Sequence, residues 1–170
     1  MAKVITTTEI SFHIERLIKN AEEFIFIVTP FIKIHKRLKS LLREKLKAKK
    51  IHLFVVCREL SIDAEELTWL KSLTNCHLFF HENLHAKSYF NEQAVVITSM
   101  NLYSFSMVNN IEFGVLIEKE LDESNYEIIL KECDLLIDNQ RQICKELSQP
   151  TLRVNLAEAL KKAGGNGPVA

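Results

Sequence analysis

The chain has 170 residues, 47% of them hydrophobic and 26% charged, with four Gly and three Pro. That composition excludes disorder and fibrous repeats, and the length suits one domain with its own core rather than two catalytic lobes. Lys and Arg number 22 and so do Asp and Glu, so net charge alone gives no argument for a polyanionic partner.

Residues Ile10–Asn20 have the pattern of a short helix. Phe24–Val28 is a continuous apolar run closed by Thr29-Pro30, as in a strand buried on both faces. Apolar residues at Ile34, Leu38, Leu41, Leu42 and Leu46 mark one helical face. The other side carries nine basic residues between Lys33 and Lys50 against one acid, Glu44. Ile51–Cys57 reads as a second strand, Asp63–Ser72 as a second short helix capped by Ser61 or Asp63, and His77–Phe80 as a third strand. Alternating strands and helices imply parallel pairing with helices packed on the sheet.

Beyond residue 80 the pattern changes. Ala86–Phe90 and Ala94–Thr98, separated only by Asn91-Glu92-Gln93, predict a hairpin, and Phe113–Ile117 a further strand, so the sheet is mixed. From Leu121 to Leu147 apolar positions keep a helical period, predicting a long closing helix with Ile128, Leu135 and Ile143 to spare for a subunit contact. Between Glu112 and Glu146 ten acids face four bases, which offsets the basic first half. Pro150 marks a break, leaving a domain over 1–149 and a C-terminal helix (Leu152–Lys162) with a Gly-rich tail over 150–170.

Cys57, Cys76, Cys133 and Cys144 lack any Cys-x-x-Cys spacing, and Met1–Ile10 has no secretory pattern. Buried, reduced thiols in a cytoplasmic protein are the expectation. No apolar run approaches the roughly 20 residues that cross a bilayer.

The chemistry concentrates between residues 84 and 117. His85 and Lys87 stand two apart at the start of a predicted strand, and Ser99 and Asn101 two apart at the end of the next. The open end of the hairpin gathers all four into a pocket suited to an oxyanion. A neutral imidazole is a nucleophile, Lys supplies a point charge for a phosphate oxygen, and Asn and Ser donate neutral hydrogen bonds. This set needs neither a metal nor another cofactor. His77, His81 and His85 recur every fourth residue but fall on strand and turn, so they do not line one helical face. His13, His35 and His52 read as background.

With Asn109-Asn110-Ile111-Glu112 downstream, these residues resemble the signature of the phospholipase D superfamily, His-x-Lys-x4-Asp followed by Gly-Ser-x-Asn and a later Glu. The resemblance implies an α/β fold, a mixed sheet sandwiched between helices. It further implies a phosphohistidine at His85, phosphate binding by Lys87 and Asn101, support from Ser99, and Glu112 orienting a partner's histidine. Glu92 stands where the family has Asp, Thr98 where it has Gly, and the His85–Ser99 interval is one residue short, at the hairpin turn. Active members use two His-x-Lys motifs and this chain has one, so the resemblance implies a homodimer with a composite site.

The expected function is a metal-independent phosphodiesterase, a nuclease cleaving DNA or RNA. Lys33, Lys36 and Arg37 are its candidate backbone contacts, and Tyr103, with Phe105 and Met107, lies in a loop beside the pocket. A lipid phosphodiesterase, or a catalytically silent nucleic-acid-binding or assembly module within a larger nuclease complex, are the alternatives.

Overall fold

A computed structural model describes residues 1–48, 51–103, 110–138 and 141–142. Its first element escapes periodicity altogether: Lys3–Thr6 forms β1, in which Ile5 alone is buried, so the segment shows neither alternation nor an apolar run. Helix α1 (Thr7–Asn20) begins three residues before Ile10 because Glu9 reaches back to the Thr6 N–H (3.0 Å) and accepts from its hydroxyl (3.2 Å). The strand β2 (Phe24–Val28) has the predicted bounds. Next come β3 (Ile32–Lys33), α2 (Lys36–Ala48), β4 (His52–Cys57), α3 (Ala64–Ser72) and β5 (Cys76–Phe80). Asp63 is the cap of α3, accepting the Glu66 N–H at 2.8 Å. The second half contributes β6 (Ser88–Asn91), β7 (Ala94–Thr98), β8 (Leu102–Tyr103), β9 (Phe113–Glu118), α4 (Glu123–Asp138) and β10 (Arg141–Gln142).

The main sheet has eight strands in the order β1-β9-β7-β6-β2-β4-β5-β10, and β3 pairs with β8 in a separate ribbon. Strands β2, β4 and β5 are parallel, while the other pairs of the main sheet are antiparallel. Alternation along each strand sorts the core into two layers. Ile25, Ile27, Leu53, Val55 and Leu78 pack under α1, α2 and α3 through Ile10, Ile14, Leu38, Leu42 and Leu70. On the other face Phe24, Phe26, Phe54, Phe79 and Phe90 pack under α4 through Tyr126, Leu130, Cys133 and Ile137. Each large side chain so buried contributes about 1.5–3 kcal/mol. The result is the expected α/β architecture, a mixed sheet between helical layers.

The closing helix is shorter than its apolar period predicts. It ends at Asp138, and Arg141 and Gln142 pair antiparallel with Phe80 and Phe79 of β5. An outer strand presents unpaired backbone groups, and covering that edge satisfies them where a longer helix would not. Ile143, Cys144, Leu147 and the whole 150–170 unit lie outside the described residues. Cys57, Cys76 and Cys133 are buried and carry no disulfide. Among the described residues no helix is long and apolar enough to cross a membrane.

The hairpin that organises the site is anchored at its tip. The Asn91 side chain accepts the Gln93 and Ala94 N–H groups (2.9 and 3.0 Å) and donates to the Leu17 carbonyl (3.0 Å). Tyr126 donates its hydroxyl to the Asn91 carbonyl at 2.7 Å. A fixed tip sets the register, and the register sets which residues meet at the open end.

Candidate active site

Strands β2, β4 and β7 finish at one edge of the sheet, and β6 and β9, running the other way, begin there. The segments before β6, after β7 and before β9 therefore converge. His85, Lys87, Ser99, Asn101 and Glu112 line one cavity of about 810 Å³, together with Asn110 and an apolar wall that includes Val28, Ile97, Ile129, Cys133 and Leu136. The sequence places His85 and Lys87 on a strand, but both precede β6. Only the Lys87 carbonyl continues the ladder, accepting the Thr98 N–H at 3.1 Å. His85 is exposed on the connecting segment, where its ring is open to a ligand.

Lys87 donates its ammonium to the His85 carbonyl at 2.6 Å. Partial burial, followed by the neighbouring Arg58 charge, holds that ammonium below the usual lysine range, and Glu112 opposes the shift. A partly desolvated cation within electrostatic reach of a second cation favours an anion. Glu112 is buried, and both of its oxygens are occupied within the chain: Ser99 donates its hydroxyl to one, and Asn110 its amide to the other at 3.2 Å. The Ser99 hydroxyl oxygen also accepts the Phe113 N–H at 3.2 Å. From α1, the Thr7 hydroxyl oxygen accepts the Glu112 N–H at 2.8 Å and so holds this loop in place. The buried Thr29 hydroxyl donates to the Phe31 carbonyl (2.9 Å), accepts the Leu102 N–H (3.3 Å) and lies 3.4 Å from the Asn101 amide oxygen.

No family model and no curated protein matches the sequence. Solved structures do match the fold. The phospholipase D family member Nuc from Salmonella typhimurium superimposes with a TM-score of 0.66 at 17% identity, over 85% of this chain and 99% of that one. NucT from Helicobacter pylori gives 0.69 at 12% identity, over 84% and 99%. A phosphatidylserine synthase from Haemophilus influenzae Rd KW20 gives 0.62 at 13% identity, covering 99% of this chain and 45% of the synthase. The chain shares its fold with these solved structures.

Against the phospholipase D motif, the two departures in residue type have local explanations. Glu92, in the Asp position, does not line the cavity; its carboxylate accepts the N–H groups of Glu22, Glu23 and Phe24 (2.9, 3.3 and 3.4 Å) and ties the hairpin tip to β2. Thr98, in the Gly position, donates its hydroxyl to the Phe113 carbonyl (2.9 Å) and accepts the Met100 N–H (3.1 Å). Its register partner on β9 is Gly114, where an added Cβ would lie 2.9 Å from the Ile97 carbonyl oxygen and 3.1 Å from the Thr98 Cβ. Gly114 thus leaves the space that the Thr98 side chain takes up, so the strands still approach closely.

The residues proposed for nucleic-acid contact do not line the cavity. Lys33 and Tyr103 are register partners in the β3–β8 ribbon that follows Asn101. Lys33 pairs with Asp63 at 3.3 Å, Arg37 with Glu15 at 2.7 Å and Lys39 with Glu66 at 2.7 Å, while Lys36 is exposed. Part of the basic surface is thus neutralised within the chain. The Tyr103 side chain, Phe105, Met107 and Asn109 lie outside the described residues.

Thr7, Thr29, Arg58 and the α4 wall do not stand out in the sequence. Each acts through a contact across the fold, and only the Thr6–Glu9 capping pair beside Thr7 left a local trace. His52, which reads as background in the sequence, has its Nδ1 3.0 Å from His77 Nε2. Among the described residues no group of three or more His, Cys, Asp or Glu is placed to hold a metal ion.

Proposed function

We propose that this protein is a phosphodiesterase that cleaves a nucleic-acid backbone, DNA or RNA, without a metal, in a homodimer whose single composite site holds both copies of His85. The convergence of His85, Lys87, Ser99, Asn101 and Glu112 on one cavity carries this reading. A neutral His85 attacks phosphorus; the new P–N bond forms as the P–O bond to the leaving alcohol breaks. The partner's imidazolium gives that alkoxide its proton. The same imidazole then takes a proton from water, whose oxygen attacks phosphorus and expels His85. Lys87 and Asn101 bind the non-bridging oxygens, and Glu112 acts through the residues it holds.

The apolar wall of the cavity favours a second reading, a lipid phosphodiesterase, since Val28, Ile97, Ile129 and Leu136 offer alkyl contacts beside the phosphate-binding end. Pure protein incubated with labelled single- and double-stranded DNA, RNA and phosphatidylcholine, in EDTA throughout, separates the two. Cleavage of nucleic acid that persists in chelator and disappears in His85→Ala is the expected result. Lipid turnover alone selects the second reading, and silence toward all substrates leaves a binding or assembly module. Sedimentation should give a dimer; a monomer at working concentration has no general acid.

A further inference from the structure

We propose that Arg58 and Phe31 form a subsite for the nucleotide next to the scissile phosphate, which makes an unpaired strand the preferred substrate; this rests on the phosphodiesterase reading above. Arg58 follows β4 directly. Its N–H donates to the Pro30 carbonyl at 3.3 Å, and its Nε donates at 2.8 Å to the carbonyl of Leu84, the residue before His85. The guanidinium carbon lies 5.9 Å from the centre of the Phe31 ring, which is 45% exposed. Arg58 is thus held half-buried against the segment that delivers the nucleophile, with an aromatic ring beside it.

Strand order sets where Arg58 lies relative to Lys87. Lys87 precedes β6; Glu112 precedes β9 on one side of it, and Arg58 follows β4 on the other. Both charges reach Lys87 with opposite signs. The scissile phosphate belongs with Lys87 and Asn101, so Arg58 is displaced from it toward β4, along the edge of the sheet. Two adjacent cations repel in the free protein, and a chain of phosphates relieves both at once. With Nε committed to Leu84, the remaining edge of the guanidinium presents a planar pair of donors that suits a phosphate. A base attached to that phosphate finds the Phe31 ring at hand. Stacking there is tolerant of sequence but requires the base to be out of a duplex.

The test reads binding and turnover separately. In His85→Ala protein, the affinity for a fluorescent single-stranded oligonucleotide is followed over a salt series. Arg58→Gln should weaken binding about tenfold and lower the slope by about 0.7, the counterion share of one single-strand phosphate contact. Phe31→Ala should weaken binding about tenfold with the slope unchanged. Arg58→Lys should keep the slope, because the charge remains. In protein with His85 intact, Arg58→Gln should lose about tenfold more kcat/KM on the oligonucleotide than on bis(p-nitrophenyl) phosphate, which has no neighbouring phosphate. An unchanged salt slope in Arg58→Gln, or equal losses on both substrates, would reduce Arg58 to a brace for Leu84 and overturn the subsite. Failure of the wild-type protein to turn over either substrate defeats the phosphodiesterase reading instead, and the salt slope still decides whether Arg58 contacts a phosphate.

Discussion

His85 and His77 belong to the same side of the sheet, near opposite ends of its strands, and their surroundings give one residue type two incompatible properties. His77 is fully buried, stacked on Phe54 with ring centres 5.0 Å apart and on His52 at 5.3 Å. Its Nδ1 has no hydrogen-bond partner among the described residues. Burial first, and the neighbouring His52 second, bring its pKa down to about 4, and burial lowers that of His52 as well. An imidazole so placed is part of an aromatic core. His85 is exposed at the mouth of a cavity it shares with Lys87 and Glu112. Solvent access and neighbours, rather than residue type, decide which histidine is open to a ligand and which is sealed in the core.

The most severe way to break this comparison is to exchange the roles by mutation. His85→Gln should lower turnover by at least about 10³-fold while leaving the melting temperature unchanged, in line with loss of a nucleophile or general acid. His77→Phe keeps the stacked ring and should retain turnover within about twofold. If His77→Phe abolished turnover in a protein that melts normally, the division of labour would be wrong.

Acid should distinguish the two ends next. The folded pKa of His77 lies below its ordinary value of 6.5, so the unfolded chain binds more protons between those limits. Stability is then level above about pH 6.5 and declines as pH falls toward 4, by on the order of 3 kcal/mol. Urea unfolding midpoints at pH 7, 5.5 and 4 would show the decline, and His77→Phe should flatten it. A midpoint that does not move between pH 7 and 4 contradicts the buried neutral pair.

A smaller effect concerns the site's frame. Gly114→Ala places a Cβ against a backbone carbonyl that cannot retreat, at a cost of about 1–3 kcal/mol, measurable as a lower melting temperature. Adding Thr98→Gly should recover only part, since the Ile97 carbonyl remains in the way. Finest of all, Thr7→Val removes the acceptor for the Glu112 N–H and should lower kcat several-fold with KM unchanged, as expected for a group that positions another. A change confined to KM would place Thr7 in substrate binding.

Much of the fold was legible because its signals are local. Phe24–Val28 and Ala94–Thr98 match β2 and β7 residue for residue, since a short apolar run between turn residues leaves a strand few alternatives. β1 was not legible, as three of its four side chains face solvent. The end of α4 was misread because an amphipathic period continues through residues that β5 recruits to its open edge. In the site, the open end of the hairpin does gather His85, Lys87, Ser99 and Asn101, but the pairing of Ser99 with Glu112 crosses from β7 to β9, and nothing in the spacing of the two residues announces it.

By itself the sequence determined what depends on neighbours along the chain: most of the order of strands and helices, the hairpin with its short turn, and the His, Lys, Ser and Asn residues at its open end. Tertiary structure alone decided which oxygen of Glu112 each partner takes, that α4 lends the cavity an apolar wall, that Gly114 supplies the space Thr98 removes, and that Arg58 reaches back to Leu84. These are contacts between residues far apart in the chain, set by sheet register and helix packing. Hydrophobic period and motif spacing carry no information about such distances.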